Sequence, residues 1–214
     1  EEFYSLVMQR PINPEVSKRS DIKIIYTPLN GTGNIPVRTI LSRAGFKNVS
    51  VVKEQEMPDG KFPTCPYPNP EIRQVFECGL KMTETEKADL MLATDPDCDR
   101  VGIAVLTNGG EEDRFLMGFE ESYGYLIGTH ARDKDAVAAS LMICEMAAYY
   151  KEQGKTLVDV LNEIYAEFGN YNNRLYNFMF EGASGMVKMA EIMDDTRKSP
   201  PAELAGMKLL DVHD

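Results

Sequence analysis

LMLATDPDCDRVGIAVL, residues 90–106, decides how this chain is read. Two apolar runs flank Asp95, Asp97 and Asp99, which alternate with Pro96 and Cys98, and Arg100 closes the acidic stretch. Short apolar runs bounded by turn-forming residues read as strands buried on both faces. Upstream, residues 22–26 and the VSVVKE segment have the same strand character. Between the strands, residues 36–44 carry Val37, Ile40, Leu41 and Ala44 on one helical face, and residues 71–85 carry Ile72, Val75, Phe76 and Leu80. Strand, helix, strand, helix, strand predicts an α/β fold, a parallel-rich mixed sheet with covering helices. Ligands of such sheets bind beyond the carboxyl ends of strands, and the aspartates sit just past one of those ends.

In an extended turn, residues i, i+2 and i+4 direct their side chains to one side. Three converging carboxylates repel one another, and a divalent cation removes the repulsion. An all-oxygen donor set suits Mg²⁺, or Mn²⁺ in its place. A calcium EF-hand loop also opens D-x-D-x-D, but here its sixth position is Arg100 where Gly is needed, and its twelfth is Leu106 where Glu is needed. The alternative is a solvated acidic turn with Arg100 as its salt-bridge partner.

The formal net charge of −11 over 214 residues sets the chain against nucleic acid and anionic membranes as partners. No apolar run approaches the roughly 18 residues of a membrane span. The four cysteines (Cys65, Cys78, Cys98, Cys144) form no C-x-x-C pair and read as free thiols in a reducing compartment, so the expected location is cytoplasmic. Residues 1–20 read as a lead-in in which Pro11 and Pro14 limit any helix, and five prolines keep residues 57–70 irregular. Residues 115–119 read as a short strand. The best helix pattern opens on the Asp-rich RDKDAV and stops at Gly154, and another follows with Thr156 as its N-cap. Residues 173–180 alternate like a strand. A last helix follows, with Met186, Met189, Ile192 and Met193 expected to face inward as core filler. Two strands for three helices is too little sheet for a second domain, so that domain is expected to be incomplete.

A second acidic stretch is LMGFEESYGYLIGTHARDKDAV, residues 116–137. Glu120, Glu121 and Ser122 offer neighbouring carboxylate and hydroxyl groups suited to sugar hydroxyls. His130, Arg132 and Lys134 follow at i, i+2 and i+4, with charge that draws a phosphate or supplies an acid/base group. An ordinary solvated turn is equally compatible with these residues.

Together these stretches resemble the phosphoglucomutase/phosphomannomutase (α-D-phosphohexomutase) family. TDPDCDR resembles its metal loop, GFEESYG its sugar-binding loop, HARDKDA the segment after that loop, and YTPLNGTGNIPV the start of its second domain. The resemblance implies residues 1–107 as domain 2 with the metal loop and residues 108–214 as a partial domain 3 with the sugar loop. It implies an enzyme that interconverts hexose 1-phosphate and 6-phosphate through a phosphoserine and a bisphosphate. Its implied ligands are Mg²⁺ and hexose phosphates (glucose or mannose 1- or 6-phosphate, hexose 1,6-bisphosphate). By resemblance, Asp95, Asp97 and Asp99 hold the metal and Arg100 lies beside the transferring phosphoryl group. Glu120 and Ser122 take the sugar hydroxyls, and His130, Arg132 and Lys134 line the cleft.

Three departures shape the expectation. No T-A-S-H-N-P-like serine setting and no S-G-T-x-P-like phosphate loop occurs, and only TNGGEED separates Leu106 from Arg114. The chain is therefore expected to be a fragment of a mutase, inactive alone. Two competing readings are a D-x-D metal-dependent glycosyltransferase and a non-catalytic acidic interaction module.

Overall fold

β1 (Lys23–Thr27) is the hub of the sheet. It pairs in parallel with β2 (Asn48–Val51), reached through a helix, and with β3 (Leu90–Thr94) on its other side. Before β1 come two short helices, α1 (Glu2–Val7) and α2 (Pro14–Arg19); the helix between β1 and β2 is α3 (Asn34–Ala44), which ends on Gly45 at φ 104°. α4 is Lys53–Glu56 and α5 is Glu77–Glu86, the latter preceded by a 3-10 turn at Arg73–Phe76. The described residues of this computed structural model are 1–105, 114–115, 123–125, 127, 133–170, 178–204 and 206–208. They fall into two units, Glu1–Asn170 and Tyr171–Asp214.

The chain returns from β3 through the aspartates into β4 (Val101–Val105), which pairs antiparallel with β3, and β5 (Arg114–Phe115) pairs antiparallel with β4. The sheet order is β2-β1-β3-β4-β5. The fold is thus α/β with a mixed sheet: its parallel half is β2, β1 and β3, and the antiparallel half was not specified by strand-helix alternation. The short turn between the runs of 90–94 and 101–105 requires antiparallel pairing, because a parallel crossover needs a dozen residues or more.

Strand alternation divides the sheet's residues between two cores. Ile24, Tyr26, Leu90, Leu92, Val101 and Ile103 face a layer that includes α3, α6 (Ala136–Glu152) and α7 (Leu157–Phe168). Ile25, Met91, Ala93 and Ala104 face the other way, onto Val75, Phe76 and the α5 side. α6 packs against α2, α3, β3 and β4. The Asp135 side chain accepts hydrogen bonds from the backbone N–H groups of Val137 and Ala138, satisfying orphan donors at the start of α6. Thr156 and Asp159 form a capping box on α7.

The lead-in holds two short helices, limited as expected by its prolines: Pro11 lies between them, and Pro14 occupies the first turn of α2, where its missing N–H costs nothing. Several expectations are corrected. The helix expected over 71–85 begins later as α-helix, after the 3-10 turn. Of the strand expected at 115–119, Phe115 is in β5 and the rest lies outside the described residues. Phe178, Met179 and Phe180 are not strand, and residues 173–177 lie outside the described residues.

The second unit contains α8 (Gly182–Lys198) and a short hairpin of β6 (Glu203–Leu204) and β7 (Met207–Lys208). Met186, Met189, Ile192 and Met193 on α8 are exposed rather than inward-facing. Among the described residues of that unit, two paired dipeptides offer too little surface to cover a 17-residue helix.

Candidate active site

The loop after β1 and the loop after β3 meet where the strand order reverses, since β1 connects to β2 on one side and the chain returns to β3 on the other. Crevices at such reversal points collect ligands in open α/β sheets. Here the two loops are in contact. Thr32 donates to the Pro96 carbonyl from its backbone N–H at 2.8 Å and from its hydroxyl at 3.1 Å. A side chain on Gly31 would run into the Pro96 backbone, and a Cβ on Gly33 would lie 2.5 Å from Tyr26 Oη and 2.6 Å from Thr94 Oγ1. Those two hydroxyls hydrogen-bond to each other at 2.8 Å beneath the loops. The glycines thus let two backbones approach closely, a role that a single sequence pattern did not reveal for Gly31, Thr32 or Gly33.

The turn itself is tightly closed. The Asp95 N–H donates to the Arg100 carbonyl and the Cys98 N–H to the Asp95 carbonyl, with Cys98 in the left-handed region at φ 62°. Asp95 is only 1% exposed. Its Oδ1 accepts from the backbone N–H groups of Asp99 (3.1 Å) and Arg100 (3.0 Å), and its Oδ2 accepts from Arg100 Nε at 2.7 Å. Burial raises the Asp95 carboxyl to about 6 despite these donors, which oppose the shift. Burial also raises the Cys98 thiol, to about 12, so it is no thiolate nucleophile.

Asp99 behaves differently. Burial pushes its carboxyl up, but the Lys134 ammonium 2.8 Å away and the Arg100 guanidinium outweigh that and hold it below the usual range. Arg100 lies 3.6 Å from Asp99 and 3.4 Å from both Glu71 Oε1 and Asn69 Oδ1. One ligand atom each from Asp95, Asp97 and Asp99 lies within 4.8 Å of the other two. The three carboxylates therefore converge rather than splay. Both Asp95 oxygens already accept hydrogen bonds, but an ionised carboxylate has about four lone-pair sites, so an all-oxygen set with room for waters fits Mg²⁺.

The structure brings Asp95, Asp97, Asp99, Arg100 and Lys134 together. Lys134 reaches the loop because its neighbourhood is tied down: the Asp135 N–H donates to the Tyr125 carbonyl and the Ala136 N–H to the Cys98 carbonyl. Gly124 forms an antiparallel bridge with Arg100, and the Val101 N–H donates to the Tyr123 carbonyl. Tyr123 and Gly124, the last two residues of the expected sugar loop, and Tyr125 after them thus run beside the aspartate turn. Glu120, Ser122, His130 and Arg132 lie outside the described residues. Glu71 and Asn69, which pin Arg100, sit in the proline-rich segment and its exit, where sequence spacing carried no signal.

Comparison with known proteins bears on this site. The model of phosphoglucomutase/phosphomannomutase alpha/beta/alpha domain II matches residues 1–109, and that of alpha/beta/alpha domain III matches residues 99–168. A Staphylococcus epidermidis phosphoglucomutase is 29% identical over 265 residues, covering 92% of this chain and 48% of the relative. A Haemophilus influenzae protein named as a probable phosphomannomutase is 28% identical over 251 residues, covering 88% and 51%. The chain spans about half the length of these curated relatives. The first alignment is longer than the 214-residue chain, so that relative carries residues within the aligned span that have no counterpart here. A crystal structure of a Thermus thermophilus protein described as a phosphomannomutase has the same fold, with a TM-score of 0.62 and 18% identity over 85% of this chain and 55% of that one. With a domain II model matching just over half its residues, the chain belongs to the phosphoglucomutase/phosphomannomutase family.

Proposed function

We propose that this chain carries the metal loop and part of the sugar-binding half of a phosphohexomutase, the enzyme class that interconverts hexose 1- and 6-phosphates through a phosphoserine and a bisphosphate. The observation that carries the reading is the convergence of Asp95, Asp97 and Asp99 beside Arg100 and Lys134 at the strand-order reversal. Residues 1–107 act as domain 2 and residues 108–214 as an incomplete domain 3. The domain II and domain III models, which match residues 1–109 and 99–168 in that order, support this arrangement, and the length of the first alignment supports the incompleteness.

Phosphoryl transfer depends on positioning and charge neutralisation more than on covalent chemistry by the protein. Asp95, Asp97 and Asp99 would hold Mg²⁺. When bound, the ion supplies charge neutralisation at the transferring phosphoryl group. Arg100, fixed by Asp95, Asn69 and Glu71, presents its guanidinium at the same edge of the loop. Glu120 and Ser122 orient the hexose through its hydroxyls, and His130, Arg132 and Lys134 set the phosphate's position. The substrates are glucose or mannose phosphates, and the enzyme works in the cytoplasm. Among the described residues no helix is long and apolar enough to cross a membrane. The polypeptide alone turns over no substrate, because the phosphorylated serine belongs to a domain whose motif it does not carry.

The decisive experiment is a calorimetric titration of the chain with Mg²⁺, paired with a glucose 1-phosphate mutase assay. Saturable binding abolished in Asp97→Asn/Asp99→Asn, without turnover, is the expected result. Turnover by this polypeptide would overturn the fragment reading. One observation favours the competing reading of a non-catalytic acidic surface: Arg100 and Lys134 already neutralise two of the three aspartates. Absence of any Mg²⁺ binding would establish that reading instead.

A further inference from the structure

Glu145 is the only charged residue between Asp135 and Lys151, on a helix that is otherwise apolar nearly all round. Such a helix belongs in a core, and one side of α6 lies there: Ala138, Leu141, Cys144 and Ala148 are buried. A second side, carrying Met142, Met146 and Tyr149 at i, i+4 and i+7, walls a cavity of about 380 Å³, within the size range of small-ligand sites. Glu145 stands between Met142 and Tyr149 on the helix surface and lines the same cavity. It is only 4% exposed. One of its oxygens accepts from the backbone N–H of Asn13, a neutral donor, and the other, Oε2, has no hydrogen-bond partner among the described residues. A carboxylate taken out of water is costly unless it is paired. The walls around it suit a cation with an apolar body. Tyr125, Tyr149 and Tyr150 line the cavity, the last two meeting edge to face at 5.2 Å between ring centroids, and aromatic rings attract cations. The methionines adapt to an irregular apolar surface. The net charge of −11 favours cationic over anionic ligands.

We propose that this cavity binds a primary ammonium carried on a small apolar body, of the arylalkylamine class, with Glu145 as its counter-charge. The apolar body covers Met142 and Met146 and lies among the tyrosines. The ammonium donates to the Glu145 carboxylate and gives Oε2 the partner it lacks. Oε2 is screened from solvent, but the terminal torsion of a glutamate is broad, so a modest turn of the carboxylate presents it to the ligand. A neutral alcohol of the same shape leaves the charge uncompensated, and an anion is repelled by it. None of these residues belongs to the aspartate loop, so this site and the metal-loop reading stand or fall separately.

The test titrates the whole chain, labelled with methyl-¹³C methionine, with 2-phenylethylammonium, its neutral analogue 2-phenylethanol and the anion phenylacetate. The Met142 and Met146 methyl resonances are identified by their loss in Met142→Leu and Met146→Leu. The ammonium is expected to shift both resonances saturably, with a Kd of roughly 1 mM. The alcohol is expected to bind about tenfold more weakly, the scale of one charge-assisted hydrogen bond, and phenylacetate more weakly still. Glu145→Gln, which keeps an acceptor for the Asn13 N–H, is expected to erase the preference for the ammonium. Equal binding of ammonium and alcohol by the parent overturns the proposal, as do two unmoved methyl resonances or a preference that survives in Glu145→Gln. If that variant does not fold, the parent's preference and its methyl shifts decide, and the absence of either overturns the proposal. Sedimentation gives the last arm: a monomer supports an open cavity, whereas a dimer dissociated by Met146→Lys assigns the groove to a second copy and overturns the amine site.

Discussion

Asp95 and Asp97 stand two residues apart on one loop and are held by different physics. Asp95 is buried, accepts three hydrogen bonds and rests on a platform built by Thr94, Tyr26 and the glycines of the β1 loop. Asp97 is exposed at the rim, and across from it Asp99 is steadied by the cations Lys134 and Arg100. The floor is set by packing and backbone geometry, which resist any change of shape. The rim is set by charge, which can be exchanged. A loop that must be rigid enough to gather carboxylates yet open enough to admit a cation needs both.

Four experiments separate floor from rim. The largest effect belongs to Gly31→Ala, which drives a methyl group into the Pro96 backbone. It is expected to cost roughly 2–3 kcal/mol, seen as a thermal midpoint lowered by roughly 5–10 °C. An unchanged midpoint would mean that the two loops slide freely over each other.

Next is the pH response of Asp95. Its folded carboxyl is raised by burial from 3.8 to about 6. Between those values the folded chain keeps a proton that the unfolded chain releases. Asp95 thus favours the folded state most below 3.8, and that contribution is lost as pH rises through about 6, by roughly 2 kcal/mol in the absence of metal. Asp99 is shifted the other way, so its contribution is present above 3.8 and is lost only as pH falls below that value. Denaturant melts of the parent and Asp95→Asn from about pH 4 to 7 should therefore show a downward slope in the parent and a flatter one in the variant. Mg²⁺ affinity should fall as pH drops below about 6.

Third, Asp97→Asn tests the rim alone. It is expected to weaken Mg²⁺ binding about tenfold, since charge count governs such sites, while leaving metal-free stability within about 0.5 kcal/mol. A stability loss comparable to that of Gly31→Ala would erase the distinction drawn here. Smallest is Thr32→Val, which removes one hydroxyl hydrogen bond to Pro96 and keeps the backbone one. Chemical denaturation should register about 0.5–1 kcal/mol.

How much of this was legible in the sequence depends on range. β1, β3 and β4 were readable because their apolar runs are bounded by turn residues. α6 and α7 were readable because Asp135, Gly154 and Thr156 are local punctuation. The three aspartates were picked out by their i, i+2, i+4 spacing, but it is a closed turn with Cys98 in the left-handed region, not the extended one expected, that gathers them. What escaped was non-local. Thr32 and Pro96 are 64 residues apart, and no spacing rule joins them. The pinning of Arg100 by Glu71 and Asn69 crosses about 30 residues of irregular chain. The methionine face of α8 failed for a related reason. Periodicity shows that a helix has an apolar side, but burial needs a partner surface, and the described residues of its unit supply only a small hairpin.

The antiparallel pairing of β3 with β4 has a consequence for motion. Ladder partners Thr94 and Val101 clamp both ends of the aspartate turn, and the Asp95–Arg100 backbone bond closes it again inside them. Such a segment has no slack with which to flap. The amides of Asp99 and Arg100 should exchange with deuterium about as slowly as those of the strands beside them, opening only when the hairpin itself comes apart. Ion capture here is then a matter of rotating carboxylates on a still backbone, quick to occur and indifferent to the breathing of surrounding loops.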